Sequence, residues 1–135
     1  MKFDVTADGT KVSASRAWDL SAVAYMSTPV VVGDQLYAHL QSQRLVCLDG
    51  KTGRLAWTSD RAFGEYWSMA VRGDKILALD QKGVLYLVRA DPKKFDLLDE
   101  RKVSEAETWG HLAVCGTEVF VRDMKGLTVY RWPGK

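Results

Sequence analysis

Three stretches of this chain align on a glycine set between two apolar runs: residues 28–37, 68–77 and 111–120. The aligned glycines, Gly33, Gly73 and Gly116, lie 40 and 43 residues apart. In the first two copies the glycine is followed by aspartate, Gly33-Asp34 and Gly73-Asp74. A glycine-led pair between apolar runs is a strong short hairpin signal, because the turn needs positive φ. A second match follows. Asp80-Gln81-Lys82-Gly83 corresponds to Asp123-Met124-Lys125-Gly126, whereas the first copy has Ser42-Gln43-Arg44-Leu45 and no glycine. Each repeat therefore reads strand, turn, strand, turn, strand. A fourth strand is expected at residues 54–58 in the first copy and from Phe95 to about Val103 in the second. The turn before the latter, Ala90-Asp91-Pro92-Lys93-Lys94, places Pro92 where no ladder donor is needed.

The first repeat carries the most specific stretch, Cys47 to Trp57. Leu45 to Leu48 is an apolar run suited to a buried strand. Asp49 can bond its own backbone two residues on, and Gly50 and Gly53 can take positive φ. Arg54 to Trp57 returns as a strand ending in a large aromatic. By these residues alone the stretch is a hairpin with a core tryptophan. The pattern small-x-Asp-x-x-Thr-Gly-x-x-x-Trp also resembles the tryptophan-docking motif of the PQQ-like repeats of quinoprotein-type β-propellers. Its positions here are Cys47, Asp49, Thr52, Gly53 and Trp57, with Cys47 where that family usually has Ala. The resemblance implies that Trp57 docks against the neighbouring blade and joins two blades.

The expected fold is thus all-β, a partial β-propeller of about three four-stranded antiparallel blades. Four-stranded blades recur at roughly 40–50 residues, which accommodates both spacings. Residues 1–25 read as the end of a preceding blade, with strands at 2–6 and 11–18 and Trp18 near the Trp57 position. Residues 26–60 and 61–104 are expected to be blades, and 105–135 a three-stranded last blade. Propellers close with about 4–8 blades, so the chain resembles the C-terminal blades of a larger propeller.

Composition sets further bounds. The hydrophobic share of 47% supports a sizeable core in 135 residues. The net charge of +2 has both signs interspersed, without the clustered Lys and Arg of a nucleic-acid footprint. No stretch approaches the ~20 apolar residues of a membrane span. No apolar h-region follows Met1, so no signal peptide is read, and the compartment rests on the resemblance, which implies a periplasmic or exported parent protein. Cys47 and Cys115 read as two buried free thiols.

Catalytic chemistry is thin. The resemblance implies, for dehydrogenases of that family, calcium held by Glu, Asn and Asp, an Asp base and often a vicinal Cys pair. This chain has no Asn and no such pair, so no cofactor, metal or catalytic residue is assigned. Glu65, Glu105 and Glu107 lack the alternating spacing of a calcium loop. His39 reads as a surface or edge residue. Tyr25, Tyr66, Trp67, Trp109 and His111 cluster at or just before first strands. They form either a possible binding face or packing between blades. The expected role is a non-enzymatic scaffold or interaction module, the alternatives being part of a quinone-dependent oxidoreductase or a ligand-binding propeller whose active residues lie on other blades. The expected partner is a protein or a second copy, with a homodimer formed by strand exchange as the favoured form.

Overall fold

The computed structural model describes residues 1–19, 24 and 26–131. A hairpin of β1 (Lys2–Asp8) and β2 (Lys11–Trp18) comes first. Sheet I is the meander β3 (Val30–Val32), β4 (Gln35–His39), β5 (Leu45–Asp49) and β6 (Leu55–Thr58). Sheet II repeats it with β7 (Trp67–Arg72), β8 (Lys75–Asp80), β9 (Val84–Arg89) and β10 (Asp96–Lys102). Sheet III has three strands, β11 (Ala113–Cys115), β12 (Glu118–Arg122) and β13 (Leu127–Arg131). All pairings within the sheets are antiparallel, and no helix occurs among the described residues.

The turn chemistry explains why the three meanders match. Val32 pairs Gln35, Arg72 pairs Lys75 and Cys115 pairs Glu118, leaving two-residue turns. The first turn residue is Gly33, Gly73 or Gly116, with φ of 59, 59 and 58°. Positive φ at the first position alone is the type II′ geometry that fits the strand twist. The second turn of each repeat is less uniform. Gly83 takes φ 74°, and no side chain fits there, since a Cβ would collide with the Ser104 carbonyl. In sheet I the same place is held by Gln43 at φ 61°. The backbone roles agree: the Gln43 carbonyl receives the Phe63 amide, and the Gly83 carbonyl receives that of Val103.

Strand alternation assigns side chains to the two faces of each sheet. Sheets I and II pack through Tyr37, Leu45 and Cys47 on one side and Ile76, Ala78, Tyr86 and Val88 on the other, with Trp57, Phe63 and Trp67 completing the cluster. The opposite face of sheet II meets sheet III through a smaller, mainly aliphatic cluster of Leu79, Leu85, Leu112, Val119 and Val121. Ala38, Val46 and Leu48 form a third cluster on the other face of sheet I. Face-to-face stacking buries sheet II on both sides, which no single repeat can do for itself.

Gln43 tests the repeat logic. Gln43→Gly relieves a left-handed conformation and is expected to raise stability by roughly 0.5 kcal/mol. Gly83→Ala adds steric collision to backbone strain and is expected to cost roughly 2 kcal/mol or more. Urea denaturation of both variants measures the two opposite signs.

Candidate functional site

Residues Cys47 to Trp57 build the tightest local structure in the chain. Asp49 Oδ1 accepts from the Lys51 amide at 3.0 Å, the Thr52 amide at 2.8 Å and Thr52 Oγ1 at 2.9 Å. These donors, the Thr52 amide foremost, hold the Asp49 carboxyl below the usual carboxylate range. Gly53 takes φ 72°. Gly50 does not take positive φ. It is needed because a Cβ there would lie 2.7 Å from the Asp34 carbonyl oxygen, which accepts the Gly50 amide. Cys47 is fully buried, and burial pushes its thiol up.

Trp57 leaves this hairpin and reaches sheet II. Its Nε1 donates to the Asp91 carbonyl at 2.8 Å. Its ring lies 5.9 Å from that of Tyr37 and 5.8 Å from that of Phe95. Trp18 makes the matching reach one sheet earlier. Its Nε1 donates to the Gly50 carbonyl at 3.2 Å, and its ring covers the Cα of Gly53 closely enough that no Cβ fits. A register shift precedes both rings, leaving Ala17 and Ala56 unpaired beside Trp18 and Trp57. A third shift in β10 leaves Leu98 unpaired beside Asp99. Bulges re-aim side chains, and these three re-aim the same position of successive sheets. In the third sheet-crossing position the ring is replaced by Asp99.

The possible binding face divides. Tyr66 and Trp109 come together, their rings 5.8 Å apart, with Trp109 38% exposed and its Nε1 donating to Glu107 at 2.9 Å. His111 is exposed, and its Nδ1 lies 2.8 Å from the Leu112 carbonyl. Trp67 does not belong to an open face. It is fully buried, stacked between His39 at 5.1 Å and Tyr86 at 5.1 Å. The apolar run that follows it draws Trp67 into strand β7 and into the core. Tyr25 and Trp132 lie outside the described residues. Among the described residues, no three His, Cys, Asp or Glu side chains converge in a way that could hold a metal ion.

His39 corrects the sequence reading. It is fully buried rather than at a surface or edge. It stands at the end of β4, where Leu79 stands in sheet II, and faces Trp67 at an interplanar angle of 5°. Burial pushes its imidazole down to about 4, against smaller opposing pulls from the Gln43 backbone and the Asp80 carboxylate. The only sequence signal was that His39 takes the place of a core leucine in the repeat. A second missed feature is a cleft of about 380 Å³ between sheets II and III, walled by Leu77, Leu87, Val114 and Val119.

Comparison with known proteins places this geometry. No family model matches the sequence, and no curated protein matches it. Solved structures do. BamB from Moraxella catarrhalis aligns over 82% of this chain and 32% of its own, at TM-score 0.65 and 15% identity. The quinohemoprotein alcohol dehydrogenase ADHIIG from Pseudomonas putida HK5 aligns over 85% of this chain and 20% of its own, at TM-score 0.61 and 20% identity. A europium-containing methanol dehydrogenase aligns over 85% of this chain and 24% of its own, at TM-score 0.62 and 19% identity. The fold is therefore that of a partial β-propeller. The chain spans about a third or less of the length of these neighbours.

Trp57→Ala removes a buried ring and is expected to cost roughly 3–5 kcal/mol, read by chemical denaturation. His39 gives a pH signature. Its folded-state pKa lies below the unfolded value of 6.5, so its stabilisation is complete above pH 6.5 and is lost as pH falls towards about 4. The loss is of the order of 3 kcal/mol. His39→Leu, which copies the Leu79 position, should remove that pH dependence from denaturation midpoints measured at pH 7, 5.5 and 4.5.

Proposed function

We propose that this chain is a non-enzymatic interaction or scaffold segment of a larger, periplasmic or exported propeller protein. In this reading Tyr66, Trp109 and His111 are offered to a protein partner, and Trp57 staples successive blades. The carrying observation is the Tyr66–Trp109 pair, two rings from the approaches to successive blades that meet at 5.8 Å with Trp109 exposed. Exposed, pre-positioned aromatics are the residues that interfaces use as anchors. The buried ionisable groups support the same reading. Burial pushes the Tyr37 and Tyr86 hydroxyls up and the His39 imidazole down, yet all three are engaged in packing between blades. Catalytic sites gather such groups around an open cleft instead.

A photo-crosslinking residue in place of Trp109, expressed in the parent protein's own cell, is expected to trap one discrete protein. Crosslinks no different from those at Lys93, on an exposed turn, would overturn the reading. Self-association is the second form such binding takes, because Leu127 and Val129 on the edge strand β13 are 64% and 48% exposed. Light scattering after size exclusion separates a dimer from a 15.1 kDa monomer.

The alternative is a share in a quinone-dependent oxidoreductase or a ligand-binding propeller, its active residues on other blades. The dehydrogenase neighbours favour it. Calorimetric titration with pyrroloquinoline quinone and calcium is expected to give no saturable heat. Saturation at micromolar concentration would favour the dehydrogenase reading.

A further inference from the structure

The interface between sheets I and II shows what fills the end of a blade-to-blade gap in this chain. Tyr37 pairs Cys47 on the wall of sheet I, and Trp57 pairs Cys47 from β6. The Trp57 and Phe95 rings close the space against sheet II. One repeat later Leu77 pairs Leu87 on the corresponding wall, but the residue pairing Leu87 from β10 is Asp99. Asp99 itself lines only a gap of about 10 Å³ beside Leu85 and Leu87. The cleft of about 380 Å³ lies nearer β7 and β8, where Leu77 stands in the place of the Tyr37 ring, with Val114 and Val119 opposite. That volume falls at the lower end of the ~300–1,000 Å³ range of ligand pockets.

The rim is basic. Arg72 and Lys75 stand at the cleft mouth. Lys75 pairs with Asp74 at 2.8 Å, whereas Arg72 reaches only the Gly116 carbonyl, at 3.3 Å, and no carboxylate among the described residues lies within ion-pair distance of it. An apolar slot with one uncompensated guanidinium at its mouth is complementary to an aromatic side chain with a carboxylate beside it.

We propose that this cleft docks an aromatic, acidic segment of a partner polypeptide, which supplies from outside the ring that Tyr37 supplies on the corresponding wall one repeat earlier. The cleft lies at the Arg72 end of β7, whereas Tyr66 adjoins its Trp67 end, so this second surface goes beyond the aromatic face proposed above. Continuity supports it: Val119 belongs both to the cleft wall and to the apolar cluster that already joins sheets II and III.

The test uses amide chemical shifts of the full chain titrated with three probes: N-acetyltryptophanamide, N-acetyltryptophan with its free carboxylate, and N-acetylleucinamide. The tryptophan probes are expected to shift the signals of Ala70, Leu77, Leu87 and Val119 saturably, in the roughly millimolar range of a single docked side chain. The carboxylate form should bind roughly two- to fivefold tighter than the amide, and Arg72→Gln should erase that difference. Equal responses to the leucine and tryptophan probes, shifts confined to Tyr66 and Trp109, or no saturation would each overturn the proposal. So would two other occupants. Concentration-dependent cleft signals would assign it to a second copy, and probe binding that appears only in Trp132→Ala would assign it to the chain's own terminus.

Discussion

The hydrogen bond from the Trp57 indole to the Asp91 carbonyl is the contact on which the rest of the arrangement depends. Each four-stranded meander is locally complete in its backbone pairing, so nothing in its ladder fixes the next one. The indole supplies that missing constraint. It leaves the fourth strand of one sheet, ends on a turn of the next, and brings Tyr37 and Phe95 into the same cluster. The donor is buried and paired, so displacing the ring would forfeit both the apolar contact and the bond. Trp18 repeats the device against the Gly50 turn, by a longer bond and with an exposed hairpin behind it.

The two interfaces between sheets differ in a way that follows from single residues. Between sheets I and II the cluster is aromatic, and Arg61 lies over the Phe63 ring at 5.0 Å while pairing with Glu100 at 2.6 Å. Between sheets II and III it is aliphatic, and polar contacts take up the joining: Thr108 Oγ1 donates to the Asp80 carbonyl, Tyr130 donates to the Val103 carbonyl, and Ser104 bonds Asp123 at 2.6 Å. Asp99 marks the change, because a carboxylate in the middle of the bulged strand β10 turns to Arg101 rather than into the gap.

Much of the fold was legible because glycine announces its own conformation. Gly33, Gly73 and Gly116 each stood between apolar runs, and each takes the positive φ that the hairpin requires. The second turn of sheet I was harder to read, since Gln43 adopts that conformation without being glycine. The tryptophan motif identified which side chain crosses between sheets, while its carbonyl acceptor on Asp91 lay in a turn that had lost the motif. The candidate face was legible only in part. Position before a first strand does not separate Tyr66, which stays half-buried, from Trp67, whose side chain falls on the buried side of the next pleat. His39 and the cleft were invisible for a common reason: each is defined by what a neighbouring repeat places opposite, and a single strand's pattern does not contain its partner.

The two cysteines, both expected to be buried, are set apart by the fold, because the short strand β11 leaves Cys115 exposed. Cys47 is sealed between sheets I and II with its thiol pushed up, whereas Cys115 is exposed at the end of β11, next to the Gly116 rim of the cleft. Thiol reagents act on the thiolate and need access to it. The native chain therefore offers a single addressable sulfur, and a fluorophore or spin label attached there, without any substitution, would sit at the mouth of the gap between sheets II and III.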